Sequence, residues 1–196
     1  MSLDRVINKL GSRIIRPSQY EVYIHFAGIG AWGSGGNASG AIDWQQHVPD
    51  NGYLSMYAES VTIPGRQMLS RSNVTHGAAR EIAYESAFSG EISITFRYSY
   101  DDPGMAAGMR RLLDYWMDSI SDPVSGQVNY YNLYTTSMDI ALLDTADATV
   151  YSTPYAIRVN EVYPKSITDI ELGHALGEDY VRNTVNFAYR DYEYIA

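Results

Sequence analysis

The chain has 196 residues, 45% of them hydrophobic and 19% charged, with no cysteine. That length can bury a substantial core within one domain, and the missing cysteines exclude a disulfide framework, a thiolate metal site and a cysteine nucleophile. The formal net charge of -9 argues against a general binder of nucleic-acid phosphates or anionic membranes.

The charge is unevenly spread. Residues 1–98 carry 8 basic and 8 acidic side chains, whereas residues 99–196 carry 6 and 15. Tyrosine is abundant, at 18 against 4 phenylalanines. An apolar ring with a polar tip suits half-buried strands and surfaces that meet other surfaces.

Leu3, Val6, Ile7 and Leu10 fall at helical spacing and predict a short N-terminal helix or arm within residues 1–15. The first ten residues hold no apolar stretch of a secretory kind, and no run approaches the roughly 18 apolar residues of a membrane helix. The expectation is a protein made in the cytoplasm without a membrane anchor. Tyr20, Val22, Ile24 and Phe26 alternate with Glu21, Tyr23 and His25, which predicts a half-buried antiparallel strand. Residues 27–52 break the alternation with Gly28, Gly30, Gly33, Gly35, Gly36 and Gly40 among small polar residues, with Trp32 and Trp44 embedded, and predict a long loop inserted into the domain. A strand pattern returns from Leu54 to Ile63 and stops at Pro64-Gly65. Residues 66–88 open on a polar, weakly patterned stretch and suggest an extended arm.

Glu91 to Tyr98 is the clearest strand, with Ile92, Ile94, Phe96 and Tyr98 on one face. Asp101-Asp102-Pro103 then supplies a helix start. Met105, Met109, Leu112, Leu113, Trp116, Met117 and Ile120 form an apolar stripe, as in an amphipathic helix laid on a sheet. Leu112, Leu113, Trp116 and Ile120 are its expected packing residues, and Asp122-Pro123 ends it. Strands are predicted over 128–134, 138–144 and 155–163, the last with a bulge after Val159 that puts Val162 on the other parity. Tyr163-Pro164-Lys165 reads as a junction, followed by strands over 166–172 and 180–194. About eight strands and one main helix make a mainly antiparallel β fold in a single domain spanning 1–196.

No catalytic motif survives inspection. Gly28-Ile29-Gly30-Ala31-Trp32-Gly33 has dinucleotide-fingerprint spacing, but that fingerprint needs a helix to start there and hold the pyrophosphate. The residues that follow, Ser34 to Gly40, cannot form one. The four histidines are scattered without metal-ligand spacing. Asp101 and Asp102 are accounted for by a helix cap, and no nucleophile elbow exists. Neither an enzyme nor a cofactor is expected. An acidic, tyrosine-rich β protein with long loops suits a subunit of an assembly, where sheet edges and arms pair between copies.

Four ordered segments carry a family resemblance. They are Arg16-Pro17-Ser18-Gln19-Tyr20-Glu21-Val22, then Ala58 through Gly65, then Ile92 to Phe96 with the helix ending Leu112-Leu113-Asp114-Tyr115-Trp116. The fourth is Val162-Tyr163-Pro164-Lys165-Ser166-Ile167, followed by Glu171-Leu172 and the final strand Asn186 to Tyr192. Taken in order they span most of the chain. The set resembles the tail tube proteins of contractile-tailed bacteriophages of the T4 type and the related tubes of contractile injection systems.

The resemblance implies a β-sandwich or small barrel with a flanking helix. It implies rings of six copies stacked into a hollow tube in the virion tail. A contractile sheath would surround the tube, with baseplate and terminator proteins at its ends, and DNA would pass through the lumen without being gripped. Asp169 and Glu171 are expected at the lumen wall, where carboxylates repel phosphates. Arg66, Arg71, Arg80, Glu81 and Glu85 are expected to join subunits or rings. The alternatives are a tube-initiating baseplate protein or a tube cap of the same fold, and, in another class, an enzyme or small-ligand module using the glycine loop.

Overall fold

The computed structural model describes residues 18, 20–26, 58–73, 77–97, 108–123, 125–143, 155–170 and 181–195. In chain order these form β1 (Tyr20–Ile24), β2 (Ala58–Val61), β3 (Arg66–Asn73), β4 (Arg80–Phe88), β5 (Glu91–Arg97), α1 (Gly108–Ile120), α2 (Tyr131–Tyr134), β6 (Thr136–Leu142), β7 (Tyr155–Ile167), β8 (Arg182–Ala188) and β9 (Asp191–Tyr194). The predicted N-terminal helix, the glycine-rich 27–52 loop and the Asp101-Asp102-Pro103 helix start lie outside the described residues.

Alternating side chains dictate the main sheet. Val22 and Ile24, Ile92 with Ile94 and Phe96, Met138 with Ile140, Ile157 with Val159, and Val185 with Phe187 are all buried on one face. Burying each large side chain contributes at most about 1.5–3 kcal/mol. The strands follow the order β1-β6-β7-β8-β5-β2, antiparallel throughout, with β9 beside β7. Strand β7 belongs to both halves of this sheet. Its first part pairs with β6 and β9, and its last part with β8. The halves therefore enclose one core between them.

Strands β1 and β2 end the strand order and meet across a seam, where the Tyr20 hydroxyl donates to the Ala58 carbonyl at 2.8 Å. No ladder joins them among the described residues. The fold is the expected antiparallel sandwich with a flanking helix, and its sheet does not close into a barrel.

The corner of β7 lies where the sequence breaks phase. Met138 pairs with Val159 but Thr136 with Val162, so one extra residue sits on β7. Glu161 occupies that bulge at φ 56°, a left-handed conformation usually left to glycine. The same bend is repeated opposite, where Tyr189 and Arg190 separate β8 from β9 and the Arg190 amide donates to the Asn160 carbonyl. Gly90, at φ 75°, turns β4 into β5 beside it, and its carbonyl accepts from the Tyr189 amide.

Helix α1 covers the core with Leu112, Leu113 and Trp116, all fully buried. Ile120 is half-buried. The Trp116 ring lies 5.6 Å from Phe26 and 5.9 Å from Phe187, and its indole N–H donates to the Tyr134 carbonyl at 2.8 Å. Helix carbonyls that would otherwise be orphaned at the C-terminal end are satisfied by the Ser121 amide on Met117 and the Asn129 side chain on Ser119.

Three predicted elements differ. The predicted 128–134 strand is instead one bridge at Val128 and the short helix α2. There Tyr131 and Tyr134, three apart, both pack on Tyr163, which a strand's period of two would not allow. The Tyr163-Pro164-Lys165 junction is continuous strand, with a register shift between Pro164 and Ser166 that accommodates the proline. The predicted 180–194 strand is bent into β8 and β9.

Candidate assembly surfaces

The extended arm is a two-stranded hairpin. Strands β3 and β4 pair only with each other among the described strands. Arg66 stands opposite Phe88, Leu69 opposite Glu85, Ser72 opposite Glu81 and Asn73 opposite Arg80, with a register shift after Leu69. All five charged candidates, Arg66, Arg71, Arg80, Glu81 and Glu85, thus lie on this one ribbon. Its base is fixed by Phe88, which packs edge-on against Tyr192 at 5.3 Å and carries the Arg66 guanidinium over its ring. Beyond the base, Met68, Ile82 and Tyr84 are 53–65% exposed. Large apolar side chains held out on a ribbon make it a candidate contact surface.

Strand edges supply a second surface. Strands β1, β2 and β9 each pair on one side only among the described residues. The seam between β1 and β2 is a slot of ≈ 380 Å³ lined mainly by Tyr20, Val61, Ile63, Ile140 and Leu142. Burial, then the nearby Glu59 carboxylate, raises the Tyr20 phenol above its usual pKa. That phenol therefore stays neutral and keeps its hydrogen bond across the seam.

The two outward sheet faces differ in chemistry. On the β1-β6-β7-β9 half, Tyr23, Asp139, Arg158 and Glu193 stand in one cross-strand row. Arg158 holds Asp139 with two hydrogen bonds at 2.8 and 2.9 Å, and His25 bonds it at 2.9 Å. Burial pushes the Asp139 carboxyl up, but these partners outweigh it and the pKa falls below the usual carboxylate value.

On the β2-β5-β8-β7 half the two central rows are uncharged. The Ser93 hydroxyl donates to the Asn186 side-chain oxygen at 2.9 Å, the Asn186 amide donates to Ser166 at 3.1 Å, and the Thr95 and Thr184 hydroxyls share a bond at 3.0 Å. Charges flank these rows: Arg182 pairs with Glu59 and Lys165 with Glu91, and Arg97 stands opposite Arg182.

Residues 15–195 match the family described as phage tail tube protein. The chain belongs to that family. Three solved structures are similar in fold. A chain from the PVC sheath/tube terminator of an extracellular contractile injection system, in its extended state, is 14% identical with a TM-score of 0.60, covering 94% of this chain and 98% of that one. A chain from the PVC sheath-tube complex is 14% identical with a TM-score of 0.54, covering 100% and 99%. A chain from the anti-feeding prophage tube-terminating cap is 10% identical with a TM-score of 0.56, covering 94% and 92%. No curated protein sequence matches.

As a tail tube family member the chain is a structural protein of a phage-like tail and not an enzyme. Among the described residues no group of His, Asp and Glu side chains could hold a metal ion, and no described helix is long and apolar enough to cross a membrane. Asp169 is exposed just past the end of β7, one residue from Thr168, whose carbonyl accepts from Arg110 on α1. Glu171 lies outside the described residues.

Sequence reasoning missed the tyrosine cluster at the β7 corner. Tyr131, Tyr134 and Tyr163 meet edge to face with centroids 5.4–6.3 Å apart. Burial and then a hydrogen bond to Glu161 push the Tyr131 phenol up to about 12. Glu161 also pairs with Arg190. The bulge side chain thereby ties α2 to the β8–β9 bend, which gives a reason for a glutamate where glycine would be less strained. The available signal was the 128–134 tyrosine run read with a period of three.

Proposed function

We propose that six copies of this chain form a ring and that rings stack into a hollow tail tube. A contractile sheath surrounds it, and baseplate and terminator proteins engage its ends. DNA passes down the lumen into the host, and the tube is assembled in the host cytoplasm. The observation that carries this reading is the tail tube family match across residues 15–195, on a fold that leaves a ribbon and several strand edges unpartnered among the described residues. Open strand edges and a protruding ribbon suit head-to-tail pairing, which closes into a ring when the rotation fits.

The whole of 1–196 acts as one domain in this reading. The β3–β4 ribbon is the contact between subunits or between rings, through Arg66, Arg71, Arg80, Glu81 and Glu85 and the exposed Met68, Ile82 and Tyr84. Asp169 and Glu171 face the lumen, where carboxylates repel passing phosphates over roughly 10 Å at moderate salt.

A second reading has the same fold forming a single ring as a baseplate tube initiator or a tube cap. The likeness to the tube-terminating cap structure, at a TM-score of 0.56, supports keeping it. Negative-stain microscopy of the purified protein separates the two. Long hollow tubes support the tube subunit, and discrete rings that do not polymerise support the initiator or cap.

A further inference from the structure

We infer that the β3–β4 ribbon of one copy docks on the tyrosine-bearing turn between α1 and α2 of a neighbouring copy, with Tyr130 seated in a hollow on the ribbon. The inference rests on the tube reading and supplies the ribbon's receptor.

Two exposed surfaces of matching chemistry carry it. One is the outer ribbon. Arg71 stands opposite Ile82, and Asn73 opposite Arg80 two positions further on, so Arg71, Arg80 and Ile82 share one face. Arg71, Ile82 and Tyr84 line a hollow of ≈ 730 Å³ on this ribbon. The other surface is the α1–α2 turn, where Val128 and Tyr130 are both exposed. Tyr130, at 79%, is the most exposed large apolar side chain among the described residues.

The turn is held as a fixed platform. The Asn129 amide donates to the Ile120 carbonyl, and its side chain donates to the Ser119 carbonyl and accepts from the Tyr130 amide. Tyr131 packs edge-on against Tyr134 and Tyr163. A ring held out by an ordered backbone loses little freedom on docking.

Charge matches the two surfaces. Arg110, Arg158, Arg182 and Arg190 each have a carboxylate partner, whereas Arg71 and Arg80 have none among the described residues. The platform follows the acidic end of α1. Asp118 and Asp122 lie four residues apart there, and the last helical turn holds no basic residue. In the docked pair Arg71 lies against the Tyr130 ring, and the ribbon's spare cations face those carboxylates.

The other exposed ring fits less well. Tyr194 packs against Tyr192, which already carries the base of its own copy's ribbon through Phe88. The carboxylates beside it, Asp191 and Glu193, stand by Arg190 and Arg158. Ribbon and platform both stay exposed within one chain, so they do not cover each other there. Complementary patches on separate parts of one chain meet head to tail between copies.

The chain has no cysteine, so introduced thiols report the contact. Ser72→Cys at the rim of the hollow and Asn132→Cys beside Tyr130, both exposed, would be made as separate proteins with tags of different size. Mixed tubes or rings treated with a short bismaleimide should yield the cross-linked heterodimer, and mixtures of Ser72→Cys with Glu193→Cys should not. Tyr130→Ser and Arg71→Ser should each raise the concentration needed for assembly by about tenfold, with the monomer's circular dichroism unchanged. Together they should raise it by clearly less than the product of the two, as contacting residues do. Tubes or rings without the Ser72→Cys/Asn132→Cys heterodimer, or multiplicative effects, would overturn the docking while leaving the tube intact. Tyr130→Ser assembling at the wild-type concentration would do the same and assign the platform to another protein, such as a sheath. A chain that forms no tubes or rings would overturn the tube reading, and the docking with it.

Discussion

Replacing Trp116 with alanine would remove the largest side chain of the core and the helix's main anchor. The ring is fully buried, contacts Phe26 and Phe187, and donates its N–H to the Tyr134 carbonyl. Truncations of this kind cost about 3–5 kcal/mol, a large part of a total stability of about 5–15 kcal/mol. For a chain of this size that lowers Tm by roughly 6–20 °C. Trp116→Phe dissects the loss. It keeps most of the ring contact but leaves the Tyr134 carbonyl without its donor, at about 1–3 kcal/mol. Urea unfolding followed by far-ultraviolet circular dichroism, with the protein held unassembled, would measure both. The expected order is wild type, then Phe, then Ala. An alanine variant within about 1 kcal/mol of wild type would refute the packing of α1 described here.

Three other outcomes follow from named contacts. Asp139 titrates below its usual value in the folded state, so its contribution to stability is present above the unfolded carboxylate pKa of about 3.9 and is lost as pH falls through the lower folded value. Asp139→Asn should lower stability at neutral pH and flatten its fall below about pH 4, and an unchanged acid limb would count against the Arg158 and His25 pairing. Tyr131, held up at about 12, should ionise late in a spectrophotometric alkaline titration. Its raised pKa means stability falls as pH rises from 10 towards 12, and Tyr131→Phe should remove that late step. Changing Met68, Ile82 and Tyr84 to serine should leave monomer stability within about 0.5 kcal/mol per site yet abolish tubes under the electron microscope. Normal tubes would remove the ribbon from the assembly interface.

Much of this fold can be read from side-chain alternation because the sheet has one buried face. The β1 residues Val22 and Ile24, and Ile92, Ile94 and Phe96 on β5, are buried as their spacing predicts. Even the β7 bulge is written in the parity of Val159 and Val162. What alternation cannot reveal is tertiary choice. The 128–134 segment has strand-forming tyrosines, but Tyr163 and the Trp116 indole capture it as a helical turn. The ribbon of 66–88 is exposed on both faces over much of its length, so it lacks the alternation that would have declared two strands. The candidate surfaces were legible only in part. The charges of the ribbon stand out in the sequence. The uncharged rows do not, because Ser93, Thr95, Thr184 and Asn186 look like ordinary solvent-facing positions until register brings them together.

The central claim is assembly through an edge-open sandwich and its protruding ribbon, and electron microscopy of the purified chain tests it most directly. The account predicts hollow tubes of stacked six-fold rings, lost when the ribbon's exposed apolar residues are replaced. A chain that stays monomeric at high concentration, or tubes that persist without those residues, would contradict it.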